Sequence, residues 1–229
     1  MAVTPNTDEA FLREVDEELR REQVVDVWKN YGRWIIAAIV LALVVFASVL
    51  GWRYWNHREA ETQAVKLQSA YDALGAGKVS DAKAPLADLD ASGAPGYRAA
   101  AKMIEGNQLL QAGKTKEALA KYNEVASDTA VGKPLRDLAL IRQTSIEFDT
   151  LAPQTIVDRL SPLATKGAAW LGSAGEMVAL ADLRLNKPEA ARAMFKTIAE
   201  DENVPDSIRQ RAVQGVDTVD VGTNDQKDK

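Results

Sequence analysis

The sequence contains no cysteine and a single histidine, His57. Without cysteine the chain forms no disulfide, offers no thiolate nucleophile and builds no cysteine-ligated zinc site. One imidazole is too few for the two- or three-histidine zinc sites of metalloenzymes. We interpret His57 as a polar side chain at the edge of an apolar segment, and the lack of cysteine as compatible with an oxidising compartment.

The phosphate-binding and hydrolase motifs are also missing. Neither G-x-x-x-x-G-K-[ST] nor G-x-G-x-x-G occurs, and no G-x-S-x-G turn would give His57 a serine partner. We interpret acidic pairs such as Asp201–Glu202 as solvated charges at helix ends. Carboxylates that are distant in sequence can still meet in the fold, and the sequence does not exclude such a pair. The formal net charge is −5, without the basic stripe of a nucleic-acid binder. We therefore predict no catalysis, no cofactor, no metal, no nucleic acid and no small-molecule substrate.

The longest uncharged run is Trp34–Trp52, WIIAAIVLALVVFASVLGW, with nineteen residues. About 20 apolar residues cross the hydrocarbon core of a bilayer. Aromatic rings favour the headgroup level, and charges close both ends of this run. The predicted interface anchors are Arg33, Trp34, Trp52, Arg53, Tyr54 and Trp55. The alternative, a buried core helix, rarely stays apolar on every face for five turns.

We expect the span to remain as an anchor, because 33 residues precede it and no A-x-A site follows it. Bases within twenty residues number four before the span and three after it. Lys and Arg favour the cytoplasm, so this count weakly favours a cytoplasmic N-terminus.

Before the span, Phe11, Val15 and Leu19 recur at four-residue steps and predict an amphipathic helix. The first 33 residues hold eight acids and five bases. Two interpretations stay open for this helix: a docking face for a partner, or a lead-in lying along the membrane surface.

After the span, apolar residues recur at helical steps in every segment and no useful strand-like alternation appears. Gly75 and Gly77 predict a helix end, whereas Pro134 and Pro153 predict helix starts. The predicted fold class is all-α, with one N-terminal transmembrane helix followed by a domain of tetratricopeptide-like helical hairpins. The predicted organisation is a cytoplasmic tail with an amphipathic helix (1–33), a transmembrane helix (34–54), the helical domain (55–219) and a disordered tail (220–229).

Two hairpins carry a repeat signature: small residues where helices cross closely, then an aromatic residue four positions later. The residues predicted to pack these repeats are Gly106, Ala118 and Tyr122 in one hairpin and Ala179, Ala191 and Phe195 in the other. From Ala118 to Ala191 is 73 residues, close to two tetratricopeptide repeats of 34. The hairpins at Pro134–Leu163 and Glu59–Leu89 keep the helix lengths but carry the signature weakly, so an irregular helical bundle remains the alternative.

Tyr97 and Trp170 are candidates for a partner-binding groove, since repeat domains bind on their concave surface. An aromatic residue at helical spacing more often belongs to the core, and both interpretations stay open.

The layout resembles the tetratricopeptide-like, membrane-anchored family typified by the ancillary subunit of the SecYEG translocon. The resemblance is carried by GWRYW at Gly51–Trp55, by Gly167–Leu185 and by KPEAARAMF at Lys187–Phe195. It implies a single-pass protein of the bacterial inner membrane, with a cytoplasmic N-terminus and a periplasmic helical domain. It also implies association with the translocon, with periplasmic chaperones and with secreted chains. The acidic tail is longer than the resemblance leads us to expect.

These observations favour a membrane-anchored interaction module whose anchor concentrates the domain beside membrane partners. Two alternatives belong to other classes: an envelope enzyme or enzyme regulator, and an envelope-assembly or cell-division scaffold unrelated to secretion.

Overall fold

The computed structural model describes the backbone from Thr7 to Lys227 and the side chains of residues 28–29, 31–55 and 58–221. Over this range the fold is all-α, as predicted, with nine α-helices, one short 3-10 helix and no strand. The helices are α1 (Thr7–Gly75), α2 (Val79–Asp90), α3 (Pro95–Gln111), α4 (Thr115–Ser127), α5 (Lys133–Glu147), α6 (Pro153–Leu160), α7 (Leu171–Arg184), α8 (Pro188–Glu200) and α9 (Asp206–Lys227); the 3-10 helix is Ser161–Leu163.

Helix α1 joins the predicted tail helix, the apolar span and the first domain helix in one element of 69 residues. No proline interrupts it, and the isolated Gly32 and Gly51 lower helix propensity without ending the helix. The tail-helix face at Phe11, Val15 and Leu19 and the side chain of His57 lie outside the described residues.

The chain divides into two compact units, residues 1–61 and 62–229. In the first unit, Tyr31 begins the part of α1 that is long and apolar enough to cross a membrane, judged by length and composition. The most apolar stretch of that part is wholly unburied. A helix with no core of its own to cover it exposes a surface that lipid would accept.

In the second unit, the helices pack mainly with their neighbours in sequence, and the core consists of four clusters in chain order. The first holds Leu86 and Leu89 of α2 with Ile104 of α3. The next three lie among α3, α4 and α5, among α5, α6 and α7, and among α7, α8 and α9. Packing that is mostly between successive helices is the organisation of helical-repeat domains.

The end of the chain differs from the prediction. Residues 220–229 were predicted to be a disordered tail, whereas α9 continues to Lys227. Asp220 is the first residue beyond the predicted helical domain, and Arg192 of α8 binds it: the Nε and Nη2 atoms of Arg192 donate to the two carboxylate oxygens of Asp220 at 2.5 and 3.1 Å. Once a helix is formed, each added residue gains a backbone hydrogen bond, so a polar sequence without proline can extend it.

Candidate interaction site

The predicted interface anchors lie at both ends of the apolar part of α1. All six side chains are exposed; for the aromatic ones the exposed fraction is 64% for Trp34, 67% for Trp52, 61% for Tyr54 and 75% for Trp55. The Arg33 guanidinium lies 5.8 Å from the Trp34 ring centroid, and that of Arg58 lies 5.1 Å from the Tyr54 ring. Cation–π pairs of this kind place a charge and an amphipathic ring at the same level of the helix.

The six residues predicted to pack the repeats are all buried. A Cβ added at Gly106 would lie 2.9 Å from two ring carbons of Tyr122, so only glycine allows this approach of α3 and α4. The Tyr122 hydroxyl donates to Asn107 Oδ1 at 2.8 Å, which satisfies the polar end of the buried ring.

In the second signature hairpin, Ala179, Ala191 and Phe195 belong to one cluster with α9. A Cβ added at Gly215 of α9 would lie 2.9 Å from the Phe195 ring, so this aromatic residue packs closely against the helix that follows its hairpin. Gly215 was not predicted to pack in this way, because an isolated glycine in a helix does not indicate which neighbour approaches it.

Three hairpins share one turn that the sequence interpretation missed. Each turn has a residue with positive φ followed by lysine. The positive-φ residues are Gly77 (+72°), Gly113 (+73°) and Asn186 (+58°). The lysine N–H then donates to the carbonyl five residues earlier: Lys78 to Ala73 (2.8 Å), Lys114 to Leu109 (2.8 Å) and Lys187 to Asp182 (2.9 Å). This is the Schellman end of a helix. The recurrence of Gly-Lys, Gly-Lys and Asn-Lys was the signal available in the sequence.

The α5–α6 hairpin lacks that turn and is held differently. Arg184 of α7 donates to the carbonyl oxygens of Phe148 (2.7 Å) and Leu151 (3.1 Å), and its guanidinium lies 5.4 Å from the Phe148 ring. An arginine from the next hairpin therefore fixes the turn that has no glycine.

A cleft of about 520 Å³ lies among α2, α3 and α4. Its apolar lining residues are Val79, Leu86, Leu109 and Ala112, and its polar ones are Lys83, Glu105, Gln108, Lys114, Glu117 and Lys121. Lys121 donates to Glu105 at 2.6 Å, and this hydrogen bond raises the pKa of the lysine. The volume falls within the range of about 300–1,000 Å³ that is typical of ligand-binding clefts.

The aromatic residues predicted to line a groove are not brought together. Tyr97 packs against the first core cluster and Trp170 against the third, and neither lines the α2–α3–α4 cleft. Their role in a groove stays a prediction. Among the described residues no group of three or more His, Asp or Glu side chains is placed to hold a metal ion.

Residues 26–214 match the family of tetratricopeptide repeat-like domains. The chain belongs to this family. The tetratricopeptide-like match starts within α1, before the apolar span, and ends within α9. It agrees with the repeated turns, because both describe hairpins that stack on their neighbours.

A similar protein is the ancillary SecYEG translocon subunit of Haemophilus influenzae, which is 25% identical over 138 residues. The alignment covers 58% of this chain and 65% of that relative, less than two thirds of the relative's length. No solved structure matches the chain. Together, the family and this relative point to a module that binds proteins.

Proposed function

We propose that this protein is a single-pass membrane anchor for a protein-binding domain and acts as an ancillary subunit beside the SecYEG translocon of the bacterial inner membrane. The observation that carries the proposal is an unburied apolar helix with aromatic residues at both ends, continuous with a tetratricopeptide-like domain. The likeness to the Haemophilus subunit supports the translocon as the partner.

In the proposed arrangement the N-terminus is cytoplasmic and the helical domain is periplasmic, where it meets chaperones and secreted chains. The mechanism is tethering: holding the domain at the membrane raises its effective concentration near membrane partners to roughly the millimolar range that short linkers give. No bond is made or broken by this protein.

The tethering mechanism assigns recognition to the domain rather than to the span. The span has two small-xxx-small pairs, Ala38–Ala42 and Ala47–Gly51, and the Ser48 hydroxyl donates to the Val44 carbonyl of the same helix at 2.7 Å. Helix association in lipid draws on small residues and interhelical hydrogen bonds, so this span provides two sites of close approach but no free hydroxyl for a specific partner.

The test is a quantitative pull-down from mild detergent at matched expression. One variant replaces Trp34–Trp52 with an unrelated span of the same orientation, and the other deletes Tyr97–Val219. We expect the replacement to retain translocon subunits and the deletion to lose them. Loss on replacement with retention on deletion would place recognition in the membrane and overturn the mechanism.

A further inference from the structure

Several cationic side chains of the helical domain form ion pairs between helices. Examples are Lys66–Asp88 (2.8 Å), Arg98–Asp128 (2.9 Å), Arg159–Glu147 (2.9 Å) and Arg211–Glu176 (2.8 Å). Among the described side chains, Lys78, Lys83 and Lys116 are exposed and form no ion pair. Lys166 and Lys187 are also exposed without an ion pair, so three of the five such lysines among described residues 62–221 lie at one place.

That place is the α2–α3–α4 cleft. Lys83 lines it, Lys78 precedes the lining residue Val79, and Lys116 stands between Lys114 and Glu117, which both line it. The Lys114–Glu117 pair is long and exposed, at 3.5 Å, so Lys114 adds to the available positive charge.

The cleft is also apolar inside. Val79 is 48% exposed at the start of α2, and Leu109 is half-buried beside it. Val79 is a large apolar side chain left in contact with solvent, and the charged residues that line the cleft with it are three lysines and two glutamates. A ligand that covers Val79 and also complements the lysines must present both apolar side chains and negative charge.

We propose that this cleft docks an amphipathic segment of a partner protein that presents apolar side chains flanked by Asp or Glu. The inference rests on the proposed function, because an interaction module needs a docking surface, and it names that surface. Burial of apolar area supplies the affinity, whereas the lysines steer and orient the acidic segment.

The test uses the full-length protein in lipid nanodiscs, with empty nanodiscs as the blank. The probes are fluorescein-labelled 14-residue peptides with leucines at helical spacing and with Glu, Gln or Lys at the flanking positions. We expect the Glu peptide to bind most tightly and to lose affinity as salt rises, because exposed charges are screened.

Charge reversal makes the assignment specific. Lys83→Glu with Lys116→Glu should weaken the Glu peptide about ten-fold, a change of about 1.4 kcal/mol, and strengthen the Lys peptide. Arg142→Glu, at an exposed cation of α5, is the matched control and should change neither. Ala112→Trp, at an exposed position of the lining, should fill the cleft and weaken the Glu and Gln peptides alike.

Equal binding of the Glu and Gln peptides, or insensitivity to both the charge reversal and Ala112→Trp, overturns the proposal. Tighter binding of a peptide copying residues 7–27 of this chain would overturn the partner as occupant and indicate a second copy instead. The span replacement and the deletion test the proposed function separately. If the protein pulls down the translocon but binds no peptide, only the cleft proposal is rejected. If it binds the Glu peptide but does not pull down the translocon, only the translocon proposal is rejected.

Discussion

Small residues at helix crossings set how closely the hairpins approach. The Tyr122 ring packs against Gly106 in the space that a larger side chain would need, and the Phe195 ring packs against Gly215 in the same way. The aromatic rings occupy these spaces and are almost fully buried. Close packing of this kind leaves no room for an added methylene without movement of the backbone.

We predict that Ala118→Leu and Ala191→Leu each lower the free energy of unfolding by about 1–3 kcal/mol, because both alanines are fully buried. Chemical denaturation of the purified protein measures the change. Gly96→Ala is the control, since nothing lies within 4 Å of a Cβ added there. Parent-like unfolding of both leucine variants would mean that these positions are not packed crossings.

Two buried aspartates respond to pH in opposite directions. Asp201 is 5% exposed and accepts hydrogen bonds from the backbone N–H groups of Asn203 (2.9 Å) and Gly167 (2.8 Å), which lower its pKa. Burial raises the pKa of Asp182, which is 7% exposed, and Lys187 only partly offsets this effect.

A group with a lowered folded pKa stabilises the fold above its unfolded pKa, about 3.9 for aspartate, and loses this contribution as the pH falls further. A raised folded pKa acts oppositely, so the Asp182 contribution declines as pH rises above about 3.9. We therefore predict that Asp201→Asn lowers Tm at pH 7 and Asp182→Asn raises it. Glu202→Gln, at an exposed neighbour, is the control. Shifts of the same sign in both variants would contradict this account.

At the scale of elements, the recurring left-handed turn organises three of the hairpins. Glycine adopts positive φ at little cost, and asparagine is the side chain that tolerates it best. The chain uses both solutions, at Gly113 and at Asn186, for the same Schellman geometry.

We predict that Gly113→Ala lowers the free energy of unfolding by about 1–2 kcal/mol, the cost of a left-handed conformation for an L-residue. Gly113→Asn should cost less, because Asn186 already occupies the equivalent position at +58°. Gly93→Ala, in a loop with open space around it and no positive φ, serves as the control in thermal unfolding. If Gly113→Asn lowered the free energy of unfolding as much as Gly113→Ala, the turns at Gly113 and Asn186 would not be equivalent.

Local chemistry explains which elements the sequence predicted. Proline fixes its own φ, so the starts of α5 and α6 near Pro134 and Pro153 were evident, and so was the end of α1 at Gly75. The continuity of α1 and the extension of α9 depend on helix propagation rather than on a signal residue. The cleft was not predictable, because it combines three helices whose separation depends on the packing of Tyr122 and its neighbours.

At the scale of the whole molecule, the proposal requires a defined orientation across the membrane. The base count around the span favours a cytoplasmic N-terminus only weakly, and the resemblance to the translocon subunit adds the stronger expectation. Orientation decides which set of partners the helical domain can reach.

We predict that an alkaline phosphatase reporter fused after Val219 is active, because this enzyme requires the periplasm. A reporter that fluoresces only in the cytoplasm should be dark at the same position. Fusion of each reporter before Thr7 is the control and should give the opposite readings. An inactive phosphatase together with a fluorescent reporter after Val219 would show that the orientation is the opposite one and would contradict the periplasmic role.

The packing of each core cluster from consecutive helices has a consequence for biosynthesis. Because each cluster needs only elements already made or the next one, α2 and α3 can bury their apolar residues before α9 leaves the ribosome. Local contacts of this kind also favour rapid folding. With no cysteine, the chain needs no oxidation step to complete the fold. The domain is thus suited to folding vectorially, hairpin by hairpin, during synthesis.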